Sequence, residues 1–376
     1  MLPSTARTVV RLADVLADCL RAVRGEGGAL GLPGADRAAV ILVDGLGAEN
    51  LRARAGHARA LASAMATKAD VIRTGLPTTT AAALASLTTG TLPGEHGVVG
   101  YSALVPATGR VVNQLHGWDD GQLPAGWLRG GTLFHAARDA SLRAFAIGAD
   151  RYRDSGFTRA VLAGAEYLPA RTIEDRFEAL ERLLADRSWR GIVYCYVSEL
   201  DKAAHEHGWQ SDQWGNALER VDGAFARLAA AMPPRTGAVL TADHGMVDVP
   251  PHARVEVPND SALWQGVAHL GGEHRLLHLY ASPDADPAGL AARWAEAVGD
   301  DAWAGTRDEA LAADWFGPVA PEVAPRIGDV LVAARRGVAY YTEAALAGSA
   351  GRMVGQHGSW TDAETRVPLL RLGAFS

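Results

Sequence analysis

The sequence predicts an α/β fold: a doubly wound, mainly parallel sheet flanked by helices, with a small α+β lobe inserted late in the chain. Continuous apolar runs at Ala38 to Val43, Gly191 to Val197 and Ala238 to Thr241 have the character of strands buried on both faces. They alternate with helical periodicity, as at Ile173 to Leu184 and about Asp212 to Met232, the pattern of a parallel sheet with crossover helices. Each run also leads into polar residues: Asp44 after the first, Glu199, Asp201, His205 and His207 after the second, Asp243 and His244 after the third. Open α/β sheets place their ligands at such strand ends.

In chain order, the first residues, MLPSTARTVVRLADVLADCLRAVRG, carry Asp14 and Asp18 within an apolar stretch and read as an amphipathic helix rather than a secretory signal. A Gly-rich link from Gly25 to Gly34 precedes the first strand, which ends in Asp44-Gly45-Leu46-Gly47; a helix over Glu49 to Met65 and a short strand near Val71 follow. The stretch Pro77 to Gly90, PTTTAAALASLTTG, sets three threonines behind a proline and ahead of a helix over Ala81 to Thr89. That puts a hydroxyl at a helix start, where free N–H groups and a partial positive charge stabilise an alkoxide or a phosphate oxygen. Taken alone, the stretch also fits an ordinary threonine N-cap.

Pro93 to Gly97 reads as a turn, Ser102 to Leu115 as a hairpin about Pro106-Ala107-Thr108-Gly109, and Thr132 to Ala140 with Arg143 to Ile147 as helix then strand. From Leu270 the pattern changes. Arg275 to Ala281, Ile327 to Ala334 and Val338 to Tyr341 are strand candidates, Pro287 to Val298 is a helix, and Trp303 to Trp315 is acidic and Ala-rich. This reads as one domain over 1–376 with an inserted lobe at about 270–345, closed by a strand over Val367 to Leu372.

Composition narrows the function. A formal net charge of -7 leaves no broad basic surface for a nucleic-acid polymer. No window of the length a membrane span needs is apolar and uncharged. Cys19 and Cys195 are too few for a disulfide framework and too far apart for a metal knuckle. A cytoplasmic location is expected.

The polar groups at strand ends form a constellation: Asp44, the threonines, Asp201 with His205, Asp243 with His244, and His357 between glycines. Asp201 and His205 share one face if their segment is helical. Carboxylates mixed with imidazoles suit zinc, whereas an all-oxygen set suits magnesium or calcium. Six such ligands and a hydroxyl are too many for one tetrahedral ion and right for two. Two ions ~4 Å apart clamp the attacking and leaving oxygens of an in-line phosphoryl displacement.

Val43-Asp44-Gly45, Pro77-Thr78-Thr79-Thr80 with Thr89-Gly90 beyond, Pro93-Gly94-Glu95-His96-Gly97, Asp201-x-x-x-His205, Ala242-Asp243-His244-Gly245-Met246 and His357-Gly358 together resemble the type I phosphodiesterase/nucleotide pyrophosphatase family of the alkaline phosphatase superfamily. The resemblance spans about residues 38 to 360 and implies an alkaline phosphatase-like fold with two divalent metal ions, zinc above all. It implies that Asp44, Asp243 and His244 hold one ion together with the nucleophile, and that Asp201, His205 and His357 hold the other. The spacing to Thr89-Gly90 selects Thr80 as that nucleophile. His96 is implied to support its loop, and Glu199 and His207 have no matched role. Where eukaryote-like members carry an Asn donating to a phosphate oxygen, this chain has Ala83. Backbone N–H groups at Thr80 or Ala81, Asn113, or an arginine of the lobe are the candidate substitutes.

The implied function is hydrolysis of small phosphodiesters or nucleotide pyrophosphates through a phosphothreonine. Phosphomonoesterase or phosphonate hydrolase activity is the alternative on the same scaffold, and the absence of lysine or arginine between Pro77 and Gly90 favours diesters. A non-catalytic, metal-stabilised binding protein is a third reading. A sulfatase is excluded because neither cysteine lies in a Cys-x-Pro-x-Arg context.

Overall fold

The apolar runs become the centre of a seven-stranded sheet in the computed structural model, which describes residues 2–4 and 10–376. The strand order is Val71–Arg73, Arg366–Gly373, Thr236–Thr241, Arg37–Val43, Gly191–Val197, Arg143–Gly148, Glu166–Pro169. Only Arg366–Gly373 runs antiparallel to its two neighbours. Every residue of Arg37–Val43 is buried, as the unbroken apolar run requires for a strand covered on both faces.

Register brings the chemistry to one edge. Val43 pairs with Val197 and Leu42 with Thr241, so Asp44, the Asp243-His244 pair and the helix Glu199–His207 all leave the sheet at the same end. The Asp44 N–H continues the ladder by donating to Val197 O at 2.9 Å.

Of the N-terminal amphipathic stretch, residues 1 and 5–9 lie outside the described residues; the remainder forms the helix Leu12–Arg24. Its Leu12, Val15, Leu16, Cys19, Leu20 and Val23 are buried at helical spacing, each Leu or Val contributing about 1.5–3 kcal/mol by leaving water. Gly25, at φ 77°, ends the helix in the left-handed conformation that a Cβ disfavours.

Elsewhere the structure corrects the sequence reading. The helix expected over Glu49 to Met65 is broken into Ala48–Ala53, a 3-10 turn at Ala55–His57 and Arg59–Ala64. The Leu61 amide donates to Asp222 Oδ1 at 2.8 Å, so a distant carboxylate replaces the helical bond there. Pro93–His96 is a short helix rather than a plain turn. The helix Gly156–Val161 and the edge strand Glu166–Pro169 have no counterpart in the sequence reading; the strand is half-exposed throughout and carries no apolar run.

A second, antiparallel sheet orders Val267–Glu273, Leu276–Ala281, Val330–Ala334 and Ala302–Thr306, with the helix Pro287–Val298 packed on it through fully buried Trp294. The strand Ala339–Thr342 pairs with Arg254–Val257 instead of joining that sheet. Arg275, just past Glu273, makes a bidentate ion pair with Glu364 at 2.7 and 2.8 Å, both side chains fully buried. Glu364 Oε1 also accepts from Ser359 N at 3.0 Å, so the same pair anchors the loop that carries His357.

Candidate active site

The helix Thr80–Thr89 begins at the sheet's C-terminal edge, and its N-cap Thr79 makes no side-chain capping bond. The first-turn amides therefore point outward without an internal partner. The three threonines separate by role. Thr78 Oγ1 donates to Ser359 O at 2.8 Å and accepts from Gly358 N at 2.9 Å, stitching the helix start to the His357 loop. Thr79 is buried. Thr80 Oγ1 alone of the three lies beside a site imidazole, 3.3 Å from His244 Nε2.

The structure brings all the expected ligands together. Asp44, Asp243 and His244 form one group whose ligand atoms lie within 4.8 Å of one another, and Asp201, His244 and His357 form a second. His205 joins the second by distance, its Nε2 being 3.2 Å from Asp201 Oδ1 and 3.3 Å from His357 Nε2. His244 thus falls in both groups, where the resemblance implied only the first; its ring stacks on His357 at 3.7 Å.

Hydrogen bonds outside each group orient the donors inward. His205 Nδ1 donates to Gly355 O and His357 Nδ1 to Thr78 O, both at 2.8 Å, a tautomer assigned from these acceptors, while His244 Nδ1 lies 3.3 Å from Gly245 O. The Nε2 atoms are thereby aimed at the carboxylates. Asp243 Oδ1 accepts from Gly45 N at 3.2 Å and His244 N at 3.1 Å, and the Tyr196 hydroxyl donates to Asp44 Oδ2. Asp44 Oδ1, Asp201 Oδ1 and Asp243 Oδ2 are buried with no hydrogen-bond partner.

Such orphaned charge is costly, about several kcal/mol for a buried ion without compensation. Burial, then repulsion from Asp201 and Asp243, pushes the Asp44 carboxyl well above its usual range, and burial likewise raises Asp243. Asp201 also meets a burial penalty, but the imidazoles, His205 foremost, hold it low and Asp201 in turn raises His205. Burial, then His244 and His205, holds His357 well below the imidazole range. Divalent cations fit this donor set: they would supply the missing partners of the three carboxylates.

Other expected residues have structural work. Glu199 holds buried Arg176 through two bonds of 2.8 Å, and His207 is exposed beside Glu206. His96 is fully buried between Ser86 Oγ at 2.9 Å and the Val98 amide at 3.2 Å, and burial followed by Arg326 holds it to about 3, a neutral imidazole. Of the substitutes for the donor missing at Ala83, Arg275 is taken by Glu364, whereas Asn113 uses only its acceptor Oδ1, for the Leu115 and His116 amides, so its Nδ2–H groups stay uncommitted alongside the first-turn amides.

Two cavities open on the site, of about 290 Å³ and about 510 Å³, and both are lined by Thr80, Leu115 and Asp201. The smaller runs past Asp44 among Tyr152, Phe157, Tyr167, Tyr194 and Tyr196. The larger lies on the His205 and His357 side and is walled by Glu273. Glu273 escaped the sequence reading. It follows Gly271-Gly272 at the end of a strand, and only the fold carries it to His357, whose Nδ1 is 3.5 Å from Glu273 Oε2. Tyr196 was legible only as part of an apolar run.

A hydroxyl at a helix N-terminus, ringed by carboxylates and imidazoles at the edge of a mainly parallel sheet, defines a phosphoric ester hydrolase of alkaline phosphatase-like fold. The family model for type I phosphodiesterase / nucleotide pyrophosphatase matches residues 38–360, and the chain belongs to that family. Among solved structures, phosphonoacetate hydrolase from Sinorhizobium meliloti 1021, in complex with phosphonoacetate, is similar at TM-score 0.70 and 19% identity, covering 90% of this chain and 91% of that one. Murine ectonucleotide pyrophosphatase / phosphodiesterase 5 is similar at TM-score 0.68 and 15% identity, covering 89% and 88%. An inactive variant of the murine protein in complex with AMP gives TM-score 0.68 at 14% identity, covering 90% and 88%. The search of curated proteins returned no match.

Proposed function

We propose that the chain is a two-zinc phosphodiesterase that cleaves small diesters or nucleotide pyrophosphates through an intermediate on Thr80. The observation that carries this reading is the position of Thr80 Oγ1, beside His244 and at the junction of two cavities. A phosphorus atom placed there has room for two organic substituents, one in each cavity, which is what distinguishes a diester from a monoester.

The ligand groups are Asp44, Asp243 and His244 on one side and Asp201, His205 and His357 on the other; the mixture of carboxylate and imidazole favours zinc. Zinc held by these residues would lower the pKa of a coordinated hydroxyl and would neutralise charge on the attacking and leaving oxygens. Thr80 Oγ1 gives up its proton to water and attacks phosphorus, the bond to the leaving oxygen breaks on the opposite face as that oxygen takes a proton from water, and a second water then cleaves the Thr80 ester, returning a proton to Thr80 Oγ1. The amides of Thr80 and Ala81 donate to a non-bridging oxygen as charge builds on it, the role left open by Ala83.

Phosphonate hydrolysis is the second reading, favoured by the likeness to phosphonoacetate hydrolase. Turnover of bis-p-nitrophenyl phosphate against p-nitrophenyl phosphate and phosphonoacetate, by the zinc-loaded protein, separates them. Diester preference lost on chelation supports the leading reading; zinc binding without turnover of any of the three overturns it.

A further inference from the structure

Asn50 lies on the buried side of the short helix Ala48–Ala53, between Ala48 and Leu51, and is the one polar residue of the three. It belongs to neither ligand group. Its amide reaches a residue far away in the sequence: Asn50 Oδ1 accepts from Met246 N and Asn50 Nδ2 donates to Met246 O, both at 3.1 Å. The amide orientation is assigned from this pairing, which satisfies an N–H and a C=O of one residue at once.

The Met246 amide is half of a peptide unit whose other half meets a metal-ligand candidate. Met246 N–H and Gly245 C=O share one planar trans peptide, so neither turns without the other. Gly245 O lies 3.3 Å from His244 Nδ1. The opposite ring nitrogen, His244 Nε2, is 3.3 Å from Thr80 Oγ1, 3.4 Å from Asp243 Oδ2 and 3.5 Å from Asp44 Oδ1. An unbroken line therefore runs from Asn50 through one peptide and one imidazole to the hydroxyl.

The backbone around Asn50 leaves room for this pairing. Gly47 has φ -66°, a conformation any residue adopts, yet a Cβ there would fall onto Asn50 Oδ1 and lie 2.8 Å from Gly245 Cα. Glycine at 47 thus serves the approach of the two turns rather than a special dihedral angle. The Gly245 amide is held from the other side by Glu364 O at 2.9 Å.

We propose that Asn50 is a positioning residue for the Asp44, Asp243 and His244 group: by holding the Gly245–Met246 peptide it fixes the acceptor of the His244 Nδ1–H, and with it the aim of His244 Nε2 beside Thr80. This rests on the reading of that group as a zinc site. His205 and His357 are oriented by other acceptors, Gly355 O and Thr78 O, so loss of the Asn50 amide falls on one zinc and spares the other.

The test is a zinc titration of the full chain after exhaustive chelation. Wild type takes up two zinc ions. Asn50→Leu, which removes both bonds at similar volume, is expected to bind one as tightly as wild type and the other ~10- to 100-fold more weakly. Leu51→Ala, which removes apolar packing from the same helix, is expected to lower the Tm and keep both affinities within ~3-fold of wild type. Unchanged affinities in Asn50→Leu, an equal loss at both sites, or a matching loss in Leu51→Ala overturns the proposal. Should Asn50→Leu not fold, Gly47→Ala, whose Cβ displaces the amide, takes its place with the same expectation. Fewer than two zinc ions on wild type contradicts the two-zinc reading instead, and crystal structures of wild type and variant then decide the positioning role alone: a turned Gly245–Met246 peptide with His244 Nε2 drawn away from Thr80 supports it, and an unmoved His244 contradicts it.

Discussion

His205 and His357 face each other through their Nε2 atoms across 3.3 Å, each with its Nδ1 committed to a backbone carbonyl. Two imidazoles so fixed, with Asp201 Oδ1 also 3.2 Å from His205, place three donor groups of the proposed second zinc site together. Zinc is expected to raise the Tm of the wild type by several degrees, and His205→Ala to lose most of that rise. The check is a thermal melt with and without zinc after exhaustive chelation.

The carboxylates set a pH dependence. The Asp44 carboxyl is raised in the folded metal-free protein above its ordinary value of 3.8. The folded state therefore holds a proton that the unfolded chain releases. The resulting stability is complete below 3.8 and is lost as pH rises through the folded value. Asp44→Asn is accordingly expected to raise the Tm of metal-free protein by a margin that widens from acid to neutral pH, while weakening zinc binding. Melts of both proteins across that range, in chelator, give the difference directly.

Asp44, Asp243 and the Asp201 to His205 helix were legible in the sequence because unbroken apolar runs fix strands, and strand ends fix where polar residues emerge. Thr80–Thr89 was legible as a helix because small apolar residues follow the threonines. Glu273 was not: it comes to the site from a separate antiparallel sheet, and its approach to Gly358 depends on packing between segments far apart in sequence. The break in the helix expected at Glu49 to Met65 likewise depends on Asp222, which local periodicity does not register.

Tyr196 supports Asp44 through its hydroxyl. Tyr196→Phe keeps the ring, whose partner Tyr194 stacks at 6.3 Å, and removes only the donor. A loss of ~10- to 100-fold in zinc affinity or kcat/KM is expected, with the Tm in chelator little changed. Zinc titration followed by steady-state kinetics reads both.

The Arg275 and Glu364 pair ties the Glu273 hairpin to the His357 loop inside the protein. Removing one partner strands the other charge, so Glu364→Gln is expected to cost about 3–5 kcal/mol in urea unfolding. The double variant Arg275→Met, Glu364→Leu is expected to cost less than Glu364→Gln alone, because no uncompensated charge remains.

Thr78, Thr79 and Thr80 offer the sharpest contrast. Thr78→Val breaks two bonds to the His357 loop and is expected to act through stability, by about 1–3 kcal/mol. Thr79→Ala is expected to keep turnover. Thr80→Ala is expected to lose at least ~10³-fold in kcat with the fold and zinc content retained, as removal of a nucleophile does.

The most direct measurement is an acid quench of zinc-loaded wild type during turnover of bis-p-nitrophenyl phosphate, followed by mass spectrometry of the peptide spanning Pro77 to Gly90. The expected result is a p-nitrophenyl phosphate ester on Thr80, absent from Thr80→Ala. A label on Thr79, or steady zinc-dependent turnover that leaves no label on this peptide and persists in Thr80→Ala, contradicts the assignment of Thr80 as the nucleophile.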